Sequence, residues 1–347
     1  MLKQTECIDE LASCLSILKD SQYCVPEYTS FLKELESHSN LRFPHLLSIF
    51  SVNLFALDGE EHRKKRRSLS PVFSMGAIEN QVHVFEAIIC DEISRLNTRQ
   101  VDLFPFCEAA AYRCIYAFLG LDEKYHSTYL QHLDELRALT GFESGKKIKD
   151  YLSAELGLEK LFKVFSEQAQ QAENEALVKL KSSFNSCDEF YSYLTIILAG
   201  SGALASTLAN MLLFYVRSNS AFRLQILTIK DPKELIERML FWCGGTKIIY
   251  RHRKNDSSRI LALDIDQASR NCLPKNKILT RKNFSSRENL AFGFGAHRCI
   301  GEQLSRKVLS IAFQRFIQHF NSAVSTCDDS RQFYLGSLRS NLHCELW

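Results

Sequence analysis

The 347-residue chain is predicted to be mainly α-helical and to form one domain over residues 1–347. It contains only 6 prolines and 14 glycines, a low count for a β-rich fold, and long stretches with helical periodicity dominate the sequence. Hydrophobic residues make up 46% of the chain, which is enough for a large core. No linker rich in Pro, Gly or Ser interrupts it, so no domain boundary is indicated.

Composition and charge restrict the compartment and the partners. The first residues, Met-Leu-Lys-Gln-Thr-Glu, lack the basic-then-apolar pattern of a signal segment. The 12 cysteines do not follow the spacing of a metal site or a disulfide framework, which is typical of a reducing compartment. A net charge of +3 is too small to indicate nucleic acid. We therefore expect a cytoplasmic protein that binds neither nucleic acid nor a membrane.

One uncharged segment, residues 191–216, is long enough to cross a membrane. Tyr, Ser, Thr, Gly and Asn are spread through it, however, and Ser201 and Gly202 lie at its centre. We interpret this segment as a long buried core helix.

The same segment supports an alternative fold and function. Residues 194–199 are consistent with a buried strand, and Gly200, Gly202 and Ala205 then match the dinucleotide fingerprint G-x-G-x-x-A. An NAD(P)- or FAD-dependent enzyme with a Rossmann fold would follow. Against it, no second strand ends in Asp or Glu about 20 residues later to bind a ribose, and strands and helices do not alternate around the fingerprint.

The most informative segment is residues 292–301, here called the cysteine loop. It places Cys299 after a glycine-rich turn and at the start of a helix whose apolar residues recur close to helical spacing. A sulfur at a helix N-terminus lies among unsatisfied N–H groups and near the positive end of the helix dipole, which favours the thiolate. The glycines let the backbone pass close to a flat ligand. For an isolated cysteine, a buried structural role would be the better interpretation.

The cysteine loop resembles the signature of the cytochrome P450 superfamily, Phe-Gly-x-Gly-x-His-x-Cys-x-Gly. The signature is complete in this chain, at Phe292, Gly293, Gly295, His297, Cys299 and Gly301. The resemblance implies haem b (iron protoporphyrin IX) as the cofactor and Cys299 as the proximal thiolate ligand of its iron. It also implies a P450-like helical fold with a reduced β region, covering roughly residues 40–320, with the haem between the long central helix and the cysteine-loop helix.

A second segment that resembles the family contains His62 and Arg66, in the family's pattern His-x-x-x-Arg. Residues four apart share one face of a helix, and two donors so placed can hold a haem propionate. The basic run at residues 63–67 is also typical of a solvated helix or a nucleic-acid patch. The following Ser-Pro-x-Phe, ending at Phe73, matches the family's continuation and favours the haem role.

A third segment, residues 239–251, matches the family's passage from a helix to a strand whose arginine reaches the other propionate. By this resemblance the role falls on Arg251, and His297 is a further propionate partner. Arg253 is the alternative if the register slips by two, because a period of two keeps it on the same face of the strand. A plain strand with surface cations would show the same residues.

The chain also departs from the family pattern. Where the family has Glu-x-x-Arg, an ion pair that braces the cysteine side of the core, the aligned positions are Arg238 and Phe241. Glu234 and Arg238 are spaced i, i+4 and could form a different pair on the helix surface. Residues 255–260 are short where the family inserts a hairpin, and the N-terminal segment leaves little room for the usual first sheet.

A further departure concerns proton delivery. Family monooxygenases follow Ala-Gly with an acidic residue and a threonine that relay protons during dioxygen activation. Gly202 and Ala203 occupy those positions here. Ser206 and Thr207 lie one helical turn further on and are the candidate substitutes, although Thr is as often a core residue that bonds its own i−4 carbonyl.

These features predict a haem-thiolate oxidoreductase acting on a small organic substrate. It is expected to be monooxygenase-like, or to use peroxide or a pre-activated substrate because the acid–Thr pair is missing. The basic run at residues 63–67, with Lys64 and Lys65 off the haem-facing stripe, is expected to attract an acidic ferredoxin-type electron donor. By position, segments around Phe142 and at residues 158–165 are expected to form a lid. A non-catalytic haem-binding protein is the remaining alternative.

Overall fold

A computed structural model describes residues 4–96, 100–137, 147–169, 174–273, 277–280, 289–320, 324–325 and 343–345, and it is mainly α-helical, as predicted. The α-helices are Leu11–Lys19 (α1), Thr29–Ser37 (α2), Pro44–Val52 (α3), Gly59–Leu69 (α4), Met75–Glu79 (α5), Val82–Ser94 (α6), Phe104–Leu119 (α7), His126–Arg137 (α8), Ile148–Ala169 (α9), Glu175–Ser182 (α10), Cys187–Val216 (α11), Ser220–Thr228 (α12), Pro232–Cys243 (α13), Ile265–Cys272 (α14) and Glu302–His319 (α15). The β-strands are Gln4–Ile8 (β1), Tyr23–Cys24 (β2), Gln100–Asp102 (β3), Ile248–Arg253 (β4), Asp256–Asp264 (β5), Val324–Ser325 (β6) and His343–Glu345 (β7).

The strands form two small sheets, in the orders β1-β5-β4-β2 and β3-β7-β6. β1 pairs with β5 in parallel, and the other pairs are antiparallel. The N-terminal segment, which was expected to leave little room for the first sheet, contributes β1 to it. Residues 255–260 contain no inserted hairpin, as expected, because only residues 254–255 separate β4 from β5 and the two strands pair directly. The β region is therefore small, as predicted.

The chain divides into two compact units. The first comprises residues 1–24, 78–114 and 202–347, and contains both sheets and the packing of α15 on α6. The second comprises residues 25–77 and 115–201, and contains the α8–α9 pair and the packing of α3 on α9. The boundary at residues 201–202 falls inside α11. A single domain over residues 1–347 stays a prediction.

Helix α11 settles the identity of the uncharged segment. It is one continuous helix of 30 residues, so residues 194–199 are not a strand and the fingerprint at Gly200, Gly202 and Ala205 lies in mid-helix. The dinucleotide alternative is wrong, because that motif needs a strand, a turn and a helix N-terminus. Within the described residues α11 alone is long and apolar enough to cross a membrane, and 72% of its apolar window is buried inside the protein. That burial agrees with the core-helix interpretation.

In the second unit, a buried carboxylate fixes the start of α3. One oxygen of Glu155, on α9, accepts hydrogen bonds from the backbone N–H of His45 at 3.0 Å and from its ring Nδ1 at 2.6 Å. The other oxygen accepts from the N–H of Leu46 at 3.0 Å. Glu155 thus satisfies N–H groups that a helix start leaves without partners. Residues 158–165, expected to form a lid, lie within α9, while Phe142 lies outside the described residues.

This contact predicts a pH-dependent contribution to stability. The hydrogen bond to Glu155 raises the pKa of His45 although burial opposes it. A raised pKa in the folded state means that the pair stabilises fully below the ordinary histidine value of about 6.5 and loses that contribution as pH rises through the raised value. We expect Glu155→Gln to lower the free energy of unfolding by about 1–3 kcal/mol at low pH and by less at high pH.

Urea unfolding of wild type and Glu155→Gln at several pH values measures this difference. The control is Glu155→Gln in a His45→Asn background, where the pH dependence of the penalty should disappear. A penalty that stays constant or grows with rising pH would contradict the assignment.

Candidate active site

The cysteine loop turns sharply before α15. Gly293 and Gly295 have φ of 70° and 66°, a region that side chains other than glycine rarely adopt, and a short 3₁₀ turn covers Gly295–His297. A Cβ on Gly295 would lie 3.0 Å from the carbonyl oxygen of Leu18 at the end of α1. The loop therefore passes close to α1, and the backbone itself requires glycine at positions 293 and 295 of the motif.

Cys299 lies two residues before the N-cap position of α15, Gly301. Its N–H donates to the carbonyl of Phe292 at 2.8 Å, which closes the loop, and the residue is exposed. A Cβ on Gly301 would lie 3.9 Å from the sulfur of Cys299. Because residue 301 is glycine, no side chain covers the sulfur from that direction. The sulfur is thus accessible and close to a helix N-terminus, where the thiolate is favoured.

Strand β4 lies beside the loop. Cδ1 of Ile249 is 3.7 Å from the position that a Cβ on Gly293 would take, and Arg251 follows two residues later on the same face of the strand. Arg251 is only 7% exposed, and its Nη1 donates to the carbonyl of Tyr250 at 2.7 Å. A guanidinium buried this far is costly unless it meets acceptors.

The alternative residue on this strand, Arg253, does not share that position. Arg253 pairs with Asp256 at the hairpin end of β4, after an irregularity in the register that skips residues 257–259 of β5. Arg253 is exposed and its Nε donates to the hydroxyl of Tyr23 at 3.1 Å. The structure thus favours Arg251 over Arg253. His297, in the loop itself, is half-buried.

The hydroxyl of Thr207 connects α11 to the segment after α13. It donates to the carbonyl of Ala203 at 2.7 Å and accepts from the N–H of Gly245 at 2.9 Å. A Cβ on Gly245 would lie 2.3 Å from the oxygen of Ala203, so only glycine permits this approach. The single hydroxyl proton of Thr207 is used within the helix, which is the structural role weighed against proton relay. Ser206 is buried, at 3% exposure.

His62 and Arg66 lie on α4 in the second unit, on one helix face as predicted from their spacing. Asp58 caps this helix by accepting the N–H of Gly59 at 3.0 Å, and its other oxygen accepts the N–H of Val25 at 3.1 Å. His62 is 1% exposed and Arg66 is half-buried. Their role toward propionates stays a prediction.

The basic run on α4 is not the uniform cationic surface that the sequence suggests. Arg63 and Arg67 both pair with Glu60, at 2.7 and 3.3 Å. Lys65 is half-buried, 3.6 Å from Glu189, with its ammonium over the ring of Phe184, and burial lowers its pKa. The expected donor patch is therefore reduced mainly to Lys64, which is exposed.

Pattern reasoning also missed an ion network at the start of α15. Arg238 pairs with Glu234 at 2.7 Å, as its spacing suggested, but it also donates to the carbonyl of Ile278 and is 7% exposed. The neighbouring Glu237 instead binds Arg306 of α15. A usable signal existed in the sequence, since Arg298, Glu302 and Arg306 are spaced four apart.

The residues around Cys299 fit a haem. The set consists of one accessible sulfur for the iron, a glycine-rich backbone that can approach a flat ring, and a buried guanidinium on the adjacent strand for a carboxylate. Thiolate sulfur is a haem-iron ligand, and guanidinium groups bind carboxylates through paired hydrogen bonds. Within the described residues, no cluster of three or more His, Cys, Asp or Glu side chains offers a separate metal site.

Comparison with known proteins agrees with this geometry. Residues 271–340 match the family model "Cytochrome P450". The curated protein cytochrome P450 55A3 of Fusarium lichenicola is 22% identical over 288 residues, covering 74% of this chain and 68% of that protein.

Solved structures establish the fold. P450BioI, in a complex with an acyl carrier protein, has a TM-score of 0.83 at 15% identity, covering 98% of this chain and 91% of its own. Epothilone B-bound cytochrome P450epoK has a TM-score of 0.81 at 18% identity, covering 98% and 90%. CYP164A2 of Mycobacterium smegmatis has a TM-score of 0.82 at 14% identity, covering 99% and 91%.

The likeness to these structures extends beyond the residues 40–320 that the motifs covered, since it includes nearly the whole chain. The complete cysteine-loop signature, the family-model match over that loop, the curated relative and the fold agree with one another. Together these findings support a haem-thiolate oxidoreductase of the cytochrome P450 type.

Proposed function

We propose that Cys299 ligates the iron of haem b and that His62, Arg66, Arg251 and His297 bind its propionates. Phe292, Gly293 and Gly301 shape the loop that faces the cofactor. The observation that carries the proposal is the position of the Cys299 sulfur, accessible at the start of α15 in a loop closed by its own N–H. When bound, haem supplies redox chemistry whose oxygen–oxygen cleavage is favoured by electron density from a thiolate.

The chain's own residues prepare this site in two ways. The sulfur lies two residues before the N-cap of α15, near the positive end of the helix dipole. Arg251 supplies a fixed positive charge from a strand, with little freedom to lose on binding a carboxylate. Gly301 keeps a side chain out of the space next to the sulfur.

Replacement of the proposed ligand tests the assignment directly. Reduced, carbonylated wild-type protein should show the red-shifted absorption band that thiolate ligation produces, and Cys299→Ser should abolish it because a serine hydroxyl does not supply the same electron density. The matched control is Cys90→Ser, which changes another exposed cysteine on α6. An unchanged band in Cys299→Ser, or its loss in Cys90→Ser, would contradict the ligand assignment.

The two arginines of β4 form a matched pair for testing the propionate role. Arg251→Ala should weaken haem binding by about 2–5 kcal/mol, because a buried carboxylate loses its charged donor, whereas Arg253→Ala, at an exposed position, should leave it unchanged. Haem transfer to an excess of apomyoglobin measures the binding. Arg251→Lys keeps the charge and should fall between the two. Equal haem retention by Arg251→Ala and Arg253→Ala would show that the register is wrong.

The proposed substrate is a small organic molecule. Two structural neighbours are named with such ligands, hexadec-9Z-enoic acid carried on acyl carrier protein in one case and epothilone B in the other. We propose further that the reaction uses peroxide or a substrate that already carries an activated oxygen or nitrogen. Gly202 and Ala203 have no side-chain proton donor, and the Thr207 proton is donated to a backbone carbonyl.

A comparison of oxidants tests this second proposal. Peroxide should support turnover, whereas a complete electron-transfer system should give slow and poorly coupled turnover of the same substrate. Thr207→Ala should leave unchanged the ratio of the peroxide-driven turnover rate to the rate with the electron-transfer system, both expressed per bound haem. It should also lower the free energy of unfolding by about 1–3 kcal/mol, since the N–H of Gly245 loses its acceptor.

Thr207→Ser is the control for that measurement, because it keeps the hydroxyl and therefore both hydrogen bonds. Fast and well-coupled turnover with the electron-transfer system, lost in Thr207→Ala and kept in Thr207→Ser, would show that Thr207 relays protons and that the protein is an ordinary monooxygenase.

We also propose a cytoplasmic location and, where electrons are required, an acidic ferredoxin-type donor. Lys64 is the exposed cation of the α4 run that supports this donor, since Arg63, Arg67 and Lys65 already contact carboxylates. One exposed charge gives modest electrostatic steering, which salt would screen.

A further inference from the structure

Four charged side chains join α13, the cysteine loop and the first two turns of α15. Glu237, near the middle of α13, binds Nη1 of Arg306. The Nε and Nη2 atoms of Arg306 contact one oxygen of Glu302, at 2.9 and 2.7 Å. Arg298, next to Cys299, holds both oxygens of Glu302, with its Nη2 at 2.5 Å from Oε1. Two cations thus alternate with two anions along a linear chain of contacts that runs from Arg298 through Glu302 and Arg306 to Glu237.

The network lies in a protected environment. The side chains of Glu302 and Arg306 are 9% and 14% exposed, and that of Glu237 is 21% exposed. Burial raises the pKa of Glu237 against the opposing effect of Arg306. Burial also acts to raise the pKa of Glu302, but hydrogen bonds from Arg298 and Arg306 lower it overall. The hydrogen bond to Glu302 in turn raises the pKa of Arg298. Removing one member would leave a poorly solvated charge behind.

Arg306 differs from the other members because it also touches the loop. Its guanidinium carbon lies 5.0 Å from the ring centre of Phe292, a cation–π contact. The carbonyl of Phe292 is the acceptor for the N–H of Cys299. Arg306 therefore contacts Phe292, the residue whose carbonyl accepts the hydrogen bond that fixes Cys299.

The fork of the guanidinium makes this arrangement possible. Its separate nitrogen atoms bind carboxylates on two different helices while its flat face covers an aromatic ring. A lysine ammonium is a single compact charge that cannot satisfy all three contacts at once. The two positions that align with the family's Glu-x-x-Arg pair, Arg238 and Phe241, do not take part in these contacts.

We propose that Arg306 is the positioning residue of the cysteine loop, holding Phe292, and through it Cys299, against Glu237 of α13. In this chain the cation that braces the cysteine side therefore comes from α15 rather than from α13. This inference rests on the proposed role of Cys299 as the iron ligand. It adds a specific requirement, that the loop depends on the shape of the Arg306 side chain as well as on its charge.

The test compares Arg306→Gln and Arg306→Lys with Arg315→Gln. Arg315 lies on the same helix and forms an exposed ion pair with Glu86 at 3.4 Å, so it is a matched control for the loss of a helix cation. Two readouts are used. Hydrogen exchange of the peptide covering residues 292–304 is measured in the haem-free protein. In the reduced, haem-loaded protein with carbon monoxide bound, the measurement is the ratio of the absorption band typical of thiolate ligation to the band typical of thiol ligation.

We expect Arg306→Gln to accelerate exchange of the loop peptide by tenfold or more, on the order of the loss of one hydrogen-bonded charge contact, while peptides from β5 and α11 stay unchanged. It should also convert part of the thiolate-type band to the thiol-type band. Arg306→Lys should show a partial effect on both readouts, and Arg315→Gln should show none. Glu237→Gln should reproduce the loop effect, which keeps the test decisive if Arg306→Gln fails to fold.

The inference would be overturned if Arg306→Gln had the same loop exchange rate and the same band ratio as the wild type. It would also be overturned if Arg306→Lys matched the wild type in both readouts. Equal effects of Arg306→Gln and Arg315→Gln would also overturn it, since the change would then be a general one of α15. Absence of the thiolate-type band in the wild type would contradict the proposed function instead, and the exchange measurement on haem-free protein would still decide the role of Arg306.

Discussion

The hydrogen bond from the N–H of Cys299 to the carbonyl of Phe292 closes the loop on which the rest of the site depends. A loop that ends at a helix start can hold a sulfur in one place only if the chain before it is fixed. Gly293 and Gly295 give the loop its turn, and the end of α1 limits its path on one side. Each of these constraints acts on backbone atoms, so the position of the sulfur does not depend on a side-chain rotamer alone.

The neighbouring elements are held to the same region by close backbone approaches. Gly245 comes within contact of Ala203 on α11, and the hydroxyl of Thr207 joins the two chain segments. β4 follows directly and brings Arg251 onto the strand face beside the loop. The contact with α11 leaves no space for an added Cβ at Gly245, and a separate close approach joins Ile249 of β4 to Gly293 of the cysteine loop.

The parts of the site that the sequence predicted are those encoded by contiguous residues. The cysteine-loop motif, the start of α15 and the shared helix face of His62 and Arg66 need only local geometry, and a 30-residue helix is visible as an uncharged run. The choice between Arg251 and Arg253 depended on burial, because Arg251 is buried and Arg253 is exposed, and no spacing rule distinguishes two residues of the same period of two.

Partners distant in sequence could not be predicted. Arg306 meets Glu237 across 69 positions, and β1 reaches β5 across more than 250, so neither contact leaves a periodic pattern. The basic run on α4 misled for a related reason. Its charges are consecutive in sequence, but Glu60, Glu189 and Phe184 occupy most of them in the fold. Local composition therefore overstated the cationic surface.

The central claim is that one sulfur of this chain binds iron, and X-ray absorption at the iron edge of the purified, haem-loaded protein measures that bond directly. The account predicts a single sulfur scatterer in the first shell of the resting protein, replaced by a lighter atom in Cys299→Ser. A first shell of nitrogen and oxygen only in the wild type, or a sulfur that persists in Cys299→Ser, would contradict it.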